Sequence, residues 1–242
     1  MKNYLSAAII GLSIILSVAI ASNAFVNRNK TNDEIAVKGL SSRDFTSDLI
    51  VWKASFSRQA STLEQAYKLI TQDRKEVENY LQENGIKKDE IVFNAVTAHK
   101  LYDSYYDEND HYRKIFKGYN LTQEFKIKSK EVEKVENLSR EITELIDKGV
   151  YLNSQSPKYY YTKLDELKIE MIAEATENAR LRAEQIASNS GAKLGKLKSA
   201  QLGVFQITGQ YSDEEYSWGG TFNTSSKEKT ATVTVRAKFA IK

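Results

Sequence analysis

Alternating apolar and polar residues predict the main strands of this chain. The strongest pattern lies at the C-terminus, where the apolar positions are Ala231, Val233, Val235, Ala237, Phe239 and Ile241. Residues 49–57 and 119–127 show the same period of two. This period is typical of a strand that buries one face and exposes the other. We therefore predict half-buried strands at these three places.

Shorter apolar stretches predict further strands at 35–37, 91–101, 150–161 and 193–207. We expect Gly39 to interrupt the first of them, with a turn at 41–47. Pro157 has no backbone N–H to donate, so it places its strand at a sheet edge or breaks it. We interpret residues 102–118 as an aromatic and acidic connection, and residues 208–229 as a loop.

Two amphipathic helices are indicated by apolar residues that recur every three or four positions. The first follows a capping-box pattern formed by Ser61 and Glu64, and Gly85 ends it. The second covers residues 132–146, and Gly149 closes it. Each helix therefore has one apolar face to pack against a sheet.

A third helix is predicted at about residues 164–188, capped by Thr162 and Asp165 and stopped by Gly191. It would be roughly 38 Å long, which is longer than a small core requires. Adjacent strands joined by short turns imply antiparallel hairpins with helices layered on them. We therefore predict an α+β fold, with one or more antiparallel sheets and three main helices.

An apolar segment at the N-terminus indicates export. Residues 5–21 are apolar or small, and no charge occurs between Lys2 and Arg28. A signal peptide cleaved after Ala24 and an uncleaved membrane anchor formed by residues 5–26 both fit this pattern. We divide the chain into a signal peptide or anchor, a linker and an α+β domain, at residues 1–26, 27–33 and 34–242.

Composition excludes several classes of function. The chain has 35 Lys and Arg against 32 Asp and Glu, a net charge of +3, which is too weak a field to hold nucleic acid by charge alone. It has no Cys, so disulfides, zinc–thiolate sites and Cys nucleophiles are excluded, as is a lipid attached to Cys. We predict no nucleic-acid partner.

No catalytic motif stands out in the sequence. The only histidines, His99 and His111, form no zinc-binding pair, and no phosphate-binding loop or nucleophile elbow occurs. Residues 103–111 carry several carboxylates, but they lack the glycine of a typical calcium loop, and an acidic surface loop is the preferred interpretation. We predict a protein that is not an enzyme and that uses no cofactor or metal.

Four aromatic residues in the 208–229 loop are candidates for a contact surface: Tyr211, Tyr216, Trp218 and Phe222. Gly219 and Gly220 lie among them. Large aromatic side chains are enriched at the centres of protein interfaces. The alternative is that the loop folds back and packs these rings against its own domain.

The chain resembles the SIMPL-domain family of bacterial periplasmic and outer-membrane proteins, which includes immunogenic and oxidative-stress proteins. Residues 35–39 (IAVKG) resemble the first strand and glycine of that family, and residues 83–91 resemble its first helix end and the next strand entry. The clearest similarity is the alanine-rich stretch 175–187, followed by Gly191 and residues 194–196. Ser47-Asp48 stands where the family usually has Pro-Asp.

This resemblance implies an α+β domain in the cell envelope that assembles into rings or other oligomers, and it brings no active-site residues. The leading hypothesis is a non-enzymatic envelope protein that forms a homo-oligomer and contributes to stress tolerance. It would contact the membrane through the N-terminal segment if that segment is uncleaved. The alternative is a periplasmic module that binds a small ligand or a peptide.

Overall fold

The structure is a computed structural model that describes residues 2–28 and 33–242, with side chains for 9–26 and 33–242. Most of the predicted linker, residues 29–32, therefore lies outside the described residues. The chain forms two compact units. The terminal unit comprises the residues up to Ser42, Leu167–Phe205 and Thr232–Lys242, and the central unit comprises Arg43–Glu166 and Gln206–Ala231.

The described elements confirm the predicted α+β fold. The helices are α1 (Lys2–Arg28), α2 (Leu63–Glu83), α3 (Val132–Glu141) and α4 (Leu164–Asn189). The strands are β1 (Glu34–Thr46), β2 (Leu49–Ala60), β3 (Ile91–Phe93), β4 (Thr97–Tyr106), β5 (Tyr112–Ser129), β6 (Tyr151–Ser154), β7 (Lys158–Tyr160), β8 (Leu194–Leu202), β9 (Gln206–Gly209), β10 (Thr221–Phe222) and β11 (Glu228–Ile241). Short 3₁₀ helices lie at Lys88–Glu90 and Ile142–Ile146.

The central unit is built around β2 and β5, which pair antiparallel from Ile50↔Ser129 to Ala60↔Tyr119. β6 and β7 pair with the other edge of β2, and β3 and β4 pair with the other edge of β5. The inward face of β2 matches the prediction, since every second residue from Ile50 to Phe56 is buried. The helices α2 and α3 pack on this sheet, and the largest core side chains are Trp52, Phe56, Phe125, Ile70, Leu81 and Ile142.

The terminal unit is built around β11, which pairs antiparallel with β8 and lies next to β1. A stripe of small residues on α4 is buried at every fourth position: Ala175, Ala179, Ala183 and Ala187. A Cβ at Gly39 of β1 would lie 1.9 Å from the carbonyl oxygen of Ala175. The backbones of β1 and α4 therefore approach each other so closely that only glycine fits at position 39.

Gly39 does not interrupt β1, so that prediction is wrong. The strand continues to Thr46, and the turn is reduced to Ser47 and Asp48. The glycine serves the close approach to α4 rather than a break in the strand. The N-cap of α2 is Thr62 rather than Ser61, since the Thr62 hydroxyl accepts a hydrogen bond from the backbone N–H of Gln65 at 3.3 Å.

Residues 102–118 are not an irregular connection but the outer part of a long hairpin formed by β4 and β5. Ring contacts join its two strands, with centroids 5.8 Å apart for Tyr102 and Phe116 and 5.6 Å for Tyr106 and Tyr112. Most side chains on both faces of this ribbon are exposed. The alternation that identifies a half-buried strand is therefore missing from the sequence.

Several predicted elements are divided in the structure. Residues 91–101 fall into β3 and β4, and residues 193–207 fall into β8 and β9. The helix predicted at 132–146 is α-helical to Glu141 and continues as a 3₁₀ helix to Ile146. Pro157 lies between β6 and β7 at the edge of the sheet, where its missing N–H leaves the ladder intact.

Helix α1 contains an 18-residue stretch, Ile9–Val26, with a mean hydropathy of 2.2 and no buried residue. Its length and composition suffice to cross a membrane. A signal sequence has the same properties. The N-terminal apolar helix predicted from the sequence is therefore present, and it is a candidate signal or anchor.

Candidate functional site

The four aromatic side chains of the candidate contact surface lie on the loop that joins β9 to β11, and all four are exposed. Tyr211 and Trp218 are almost fully exposed, at 97% and 101% of their reference areas. Tyr216 and Phe222 are more than half exposed. We call these four residues the aromatic loop surface. Exposed apolar patches mark interaction sites in soluble proteins, and these four exposed rings lie within one short segment, residues 211–222, which makes the segment a candidate contact surface.

A buried glutamine holds the base of this loop. The side-chain amide of Gln206, in β9, donates to the carbonyl oxygen of Ser217 at 2.7 Å and accepts from the backbone N–H of Ser217 at 3.2 Å. β9 and β10 pair in parallel at Gln206↔Thr221 and Ile207↔Phe222. Trp218 therefore follows directly after a backbone position that is fixed by two hydrogen bonds.

A second anchor lies at Glu214. Its carboxylate accepts a hydrogen bond from the backbone N–H of Gly209 at 3.0 Å and another from the side-chain amide of Asn223. The carbonyl oxygen of the Asn223 side chain accepts from the N–H of Ser226 at 2.8 Å. Since Asn223 is buried, this network gives the loop one defined conformation.

Tyr211 has a φ of 56°, in the left-handed region that a non-glycine residue rarely adopts. The Glu214 network encloses the segment that contains it, and that network maintains the unfavourable backbone conformation. The phenol ring of Tyr211 is exposed to solvent. Polar contacts therefore hold the backbone of the loop, whereas its four aromatic side chains remain exposed to solvent.

The sequence identifies the aromatic residues of this surface but not the residues that organise it. Gln206, Glu214 and Asn223 are polar residues in a polar loop, and nothing in their spacing separates them from solvated neighbours. A weak signal exists at Asn223, because an asparagine followed by small hydroxyl residues, here Thr224, Ser225 and Ser226, is typical of an Asx turn. The carboxylate of Glu214 has no such local signature, since its partners are five and nine residues away.

The acidic segment 103–111 forms the end of the β4–β5 hairpin. The carboxylate of Asp107 accepts hydrogen bonds from the backbone N–H groups of Asn109 and His111, both at 3.0 Å, and from Arg113 Nε at 2.9 Å. Arg113 and these backbone bonds lower the pKa of Asp107. Among the described residues, no group of three or more acidic or histidine side chains is arranged to hold a metal ion.

A lysine lies in the interior of the central unit. Lys229 Nζ donates to Ser47 Oγ at 2.6 Å and to the carbonyl oxygen of Tyr159 at 2.8 Å. Burial lowers the pKa of Lys229 to about 8. A Ser–Lys pair can supply a nucleophile and a base. Here, however, Ser47 is only 3% exposed and Lys229 only 2%, so the contact ties β7, β11 and the β1–β2 turn together rather than meeting a substrate.

Comparison with known families gives one finding. The family model named SIMPL, described as a protein of unknown function (DUF541), matches residues 35–239. No curated protein matches the chain.

The matched range contains the residues on which the resemblance depends, and the buried ones among them serve the packing of the fold. Gly39 lies against α4, and the alanine stripe of α4 is buried. Gly191 follows the helix end with a φ of 75°, a conformation that suits glycine. The match therefore concerns the fold of the chain, and the chemistry of its surfaces has to be argued separately.

Proposed function

The chain belongs to the SIMPL family, and from this premise we propose that it is a non-enzymatic protein of the bacterial cell envelope that self-assembles. Its assembly contributes to envelope or oxidative-stress tolerance. The observation that carries self-assembly is the aromatic loop surface, in which four exposed rings are presented by a hydrogen-bonded loop.

The order of this loop favours association. Binding through a flexible loop loses conformational entropy when the loop becomes fixed. The contacts of Gln206 and Glu214 fix the backbone before any partner arrives. Trp and Tyr then contribute large contact areas with few rotatable bonds, which is the pattern of energetically dominant interface residues. A second copy of the chain is the partner that this proposal names.

The location in the envelope is supported by α1. In its apolar stretch, Ile9–Val26, all residues except Gly11 are exposed, and none of the residues that the structure describes buries any of them. A helix of this composition is stable in a lipid bilayer or in the export machinery. The remainder of the chain, from Asp33 onward, would then function outside the cytoplasm.

Sedimentation velocity of the full chain in a density-matched detergent tests the proposal. The wild-type chain is expected to sediment as a homo-oligomer at tens of micromolar. Trp218→Ala should shift the distribution to smaller species while circular dichroism stays native. Tyr67→Ala, which removes an exposed ring from α2 in the same unit, is the matched control and should leave the mass unchanged.

A wild-type chain that sediments as a monomer contradicts self-assembly. The same holds if Trp218→Ala lowers thermal stability without any change in mass, because the ring would then serve the domain itself. A monomer whose melting temperature rises when a metabolite or peptide is added would support the second hypothesis, a ligand-binding module of the envelope.

A further inference from the structure

A second candidate site lies in the central unit, far in sequence from the aromatic loop surface. It is a cavity of 590 Å³ next to the end of α2, the end of β5 and the start of α3. Four lysines line it: Lys87, Lys128, Lys130 and Lys134. Two acidic residues, Glu90 and Glu131, also line it. Its volume falls in the range of pockets that hold small molecules.

Strand pairing brings these lysines together from distant parts of the sequence. β3 pairs with β5 at Ile91↔Ile127, so the residues before Ile91 lie beside those that follow Ile127. Lys87 thereby reaches the neighbourhood of Lys128 and Lys130. The chain arrives there through Gly85, whose φ of 79° turns it away from α2.

Lys134 completes the group from the first turn of α3. A Cβ placed on Gly85 would lie 3.7 Å from Lys134 Nζ, so this ammonium group sits directly against the glycine turn. The turn between β5 and α3 is fixed as well, because the buried Ser129 hydroxyl accepts a hydrogen bond from the backbone N–H of Glu131 at 3.1 Å.

The two carboxylates do not balance the four ammonium groups. Glu131 pairs with Lys134 at 3.6 Å, and Glu90 accepts from the backbone N–H of Lys87 at 3.1 Å rather than from its ammonium group. Within the described part of the chain, Lys87, Lys128 and Lys130 form no ion pair within 4.0 Å. Like charges placed around one cavity repel each other, so their arrangement does not serve stability.

The start of α3 adds to the positive potential. The first turn of a helix carries unpaired N–H groups and the positive end of the helix dipole. Glu131, the N-cap residue, makes no side-chain hydrogen bond to that turn. The electrostatic environment of the cavity therefore favours an anion that carries more than one negative charge.

We propose that this cavity binds a small multivalent anion of the phosphate class. The lysines would act as point charges around the phosphate oxygens, a role for which ammonium groups are well suited. Two sources share this chemistry, a free phosphate compound and the headgroup of an anionic phospholipid. The proposal is independent of self-assembly, since none of these residues belongs to the aromatic loop surface.

Isothermal titration of the full chain in detergent micelles at low salt tests the site. Inorganic pyrophosphate is the first probe, and a soluble short-chain phosphatidylglycerol is the second. We expect saturable binding of at least one probe, one molecule per chain, that weakens as ionic strength rises. If pyrophosphate binds and the lipid does not, the ligand is a free phosphate compound. If the lipid binds more tightly, it is a headgroup.

The double variant Lys128→Met with Lys130→Met should weaken binding at least tenfold while circular dichroism stays native. The matched control is Lys68→Met with Lys75→Met, which removes the same charge from the exposed face of α2. The control should bind like the wild type. Equal weakening in both double variants would show that only net charge matters, and it would overturn the proposal. So would the absence of saturable binding of both probes to the wild-type chain.

Discussion

Arg58 and Asp73 form a two-pronged ion pair that joins β2 to α2 inside the central unit. Arg58 donates from Nε and from Nη2 to the two carboxylate oxygens of Asp73, and the Nη2 bond is 2.7 Å long. Asp73 is only 3% exposed. The hydrogen bonds that Arg58 donates to this carboxylate raise the pKa of Arg58. A parallel pair of bonds fixes both the distance and the rotation between strand and helix.

Asp73→Ala should lower the free energy of unfolding by about 2–3 kcal/mol, because it removes two charge-assisted hydrogen bonds and leaves the partly buried guanidinium group of Arg58 unpaired. Chemical unfolding followed by circular dichroism measures the loss. Glu78→Gln is the control, since Glu78 faces the exposed Lys88 at 3.7 Å and should contribute less than about 1 kcal/mol. Similar losses in the two variants would mean that the Arg58–Asp73 pair is not a structural link.

Gly39→Ala should destabilise the terminal unit by about 3 kcal/mol or more, because the new methyl group would overlap the Ala175 carbonyl and push β1 away from α4. The melting temperature is the readout. Gly219→Ala is the matched control, since a Cβ there meets nothing within 4 Å and its φ is not positive. If the melting temperature of Gly39→Ala equals that of Gly219→Ala, the close approach of β1 to α4 is refuted.

The stability of the central unit should rise with pH because of Lys229. The folded-state pKa of about 8 lies below the ordinary value near 10.5, so between these values the unfolded chain binds more protons than the folded one. The cost of burying the ammonium group is fully present below pH 8 and disappears as the pH rises through this window. Nearby Glu228 opposes the shift but does not cancel it.

Lys229→Met removes this dependence. We therefore expect the free energy of unfolding of the wild type, relative to that of Lys229→Met, to increase between about pH 8 and pH 10. Chemical unfolding of both proteins at several pH values measures the difference. A difference that stays flat would mean that folding leaves the pKa of Lys229 unchanged, and a difference that falls with pH would mean that folding raises this pKa; either result contradicts the prediction.

A C-terminal fusion to alkaline phosphatase tests export, because that enzyme becomes active only outside the cytoplasm. We expect activity in a bacterial host when the fusion carries the full chain. The same fusion without residues 1–26 is the control and should be inactive. An inactive full-length fusion that accumulates to normal levels would show that α1 directs no export.

Strands and helices can be predicted from the sequence where one face is buried and the other is exposed to solvent. The alternation in β11 is correct, because each of Ala231, Val233, Val235, Ala237 and Phe239 is buried. The β4–β5 ribbon cannot be predicted in this way, because both of its faces are exposed and its sequence therefore needs no alternation of apolar and polar residues. The prediction of a strand break at Gly39 fails for another reason. Glycine is also required where two backbones approach closely, and the sequence alone does not distinguish this role from a break in a strand.

Two charged residues occupy positions at which the periodic pattern of the sequence predicts a buried side chain, and this pattern indicates that both charges are buried. Lys229 occupies the apolar phase of β11, two residues before Ala231, and Asp73 lies between Ile70 and Val77 on the buried face of α2. A charge in such a position requires a partner inside the fold. The identity of the partner could not be predicted, because Ser47 reaches Lys229 only when distant strands come together, and Arg58 reaches Asp73 only when α2 packs on β2.

The lysines around the cavity illustrate the same limit. In the sequence, Lys87 and Lys128 are ordinary surface charges at the ends of predicted elements, and no local pattern connects them. Their proximity follows from the register of β3 on β5, which depends on the whole sheet. By contrast, the rings of the aromatic loop surface lie in one continuous segment, so the sequence alone could group them.

The terminal unit is closed by contacts between the two ends of the domain. The backbone N–H of Ile241 donates to the carbonyl oxygen of Asp33 at 3.1 Å, and Lys238 pairs with Glu34, 204 residues away in sequence. Contacts of such separation close a very long loop, and the entropy this costs is offset only when the strands of the unit come together. Synthesis must therefore reach the last strand before β1 and β8 acquire their shared neighbour, so the first strand of the domain is among the last to find its place.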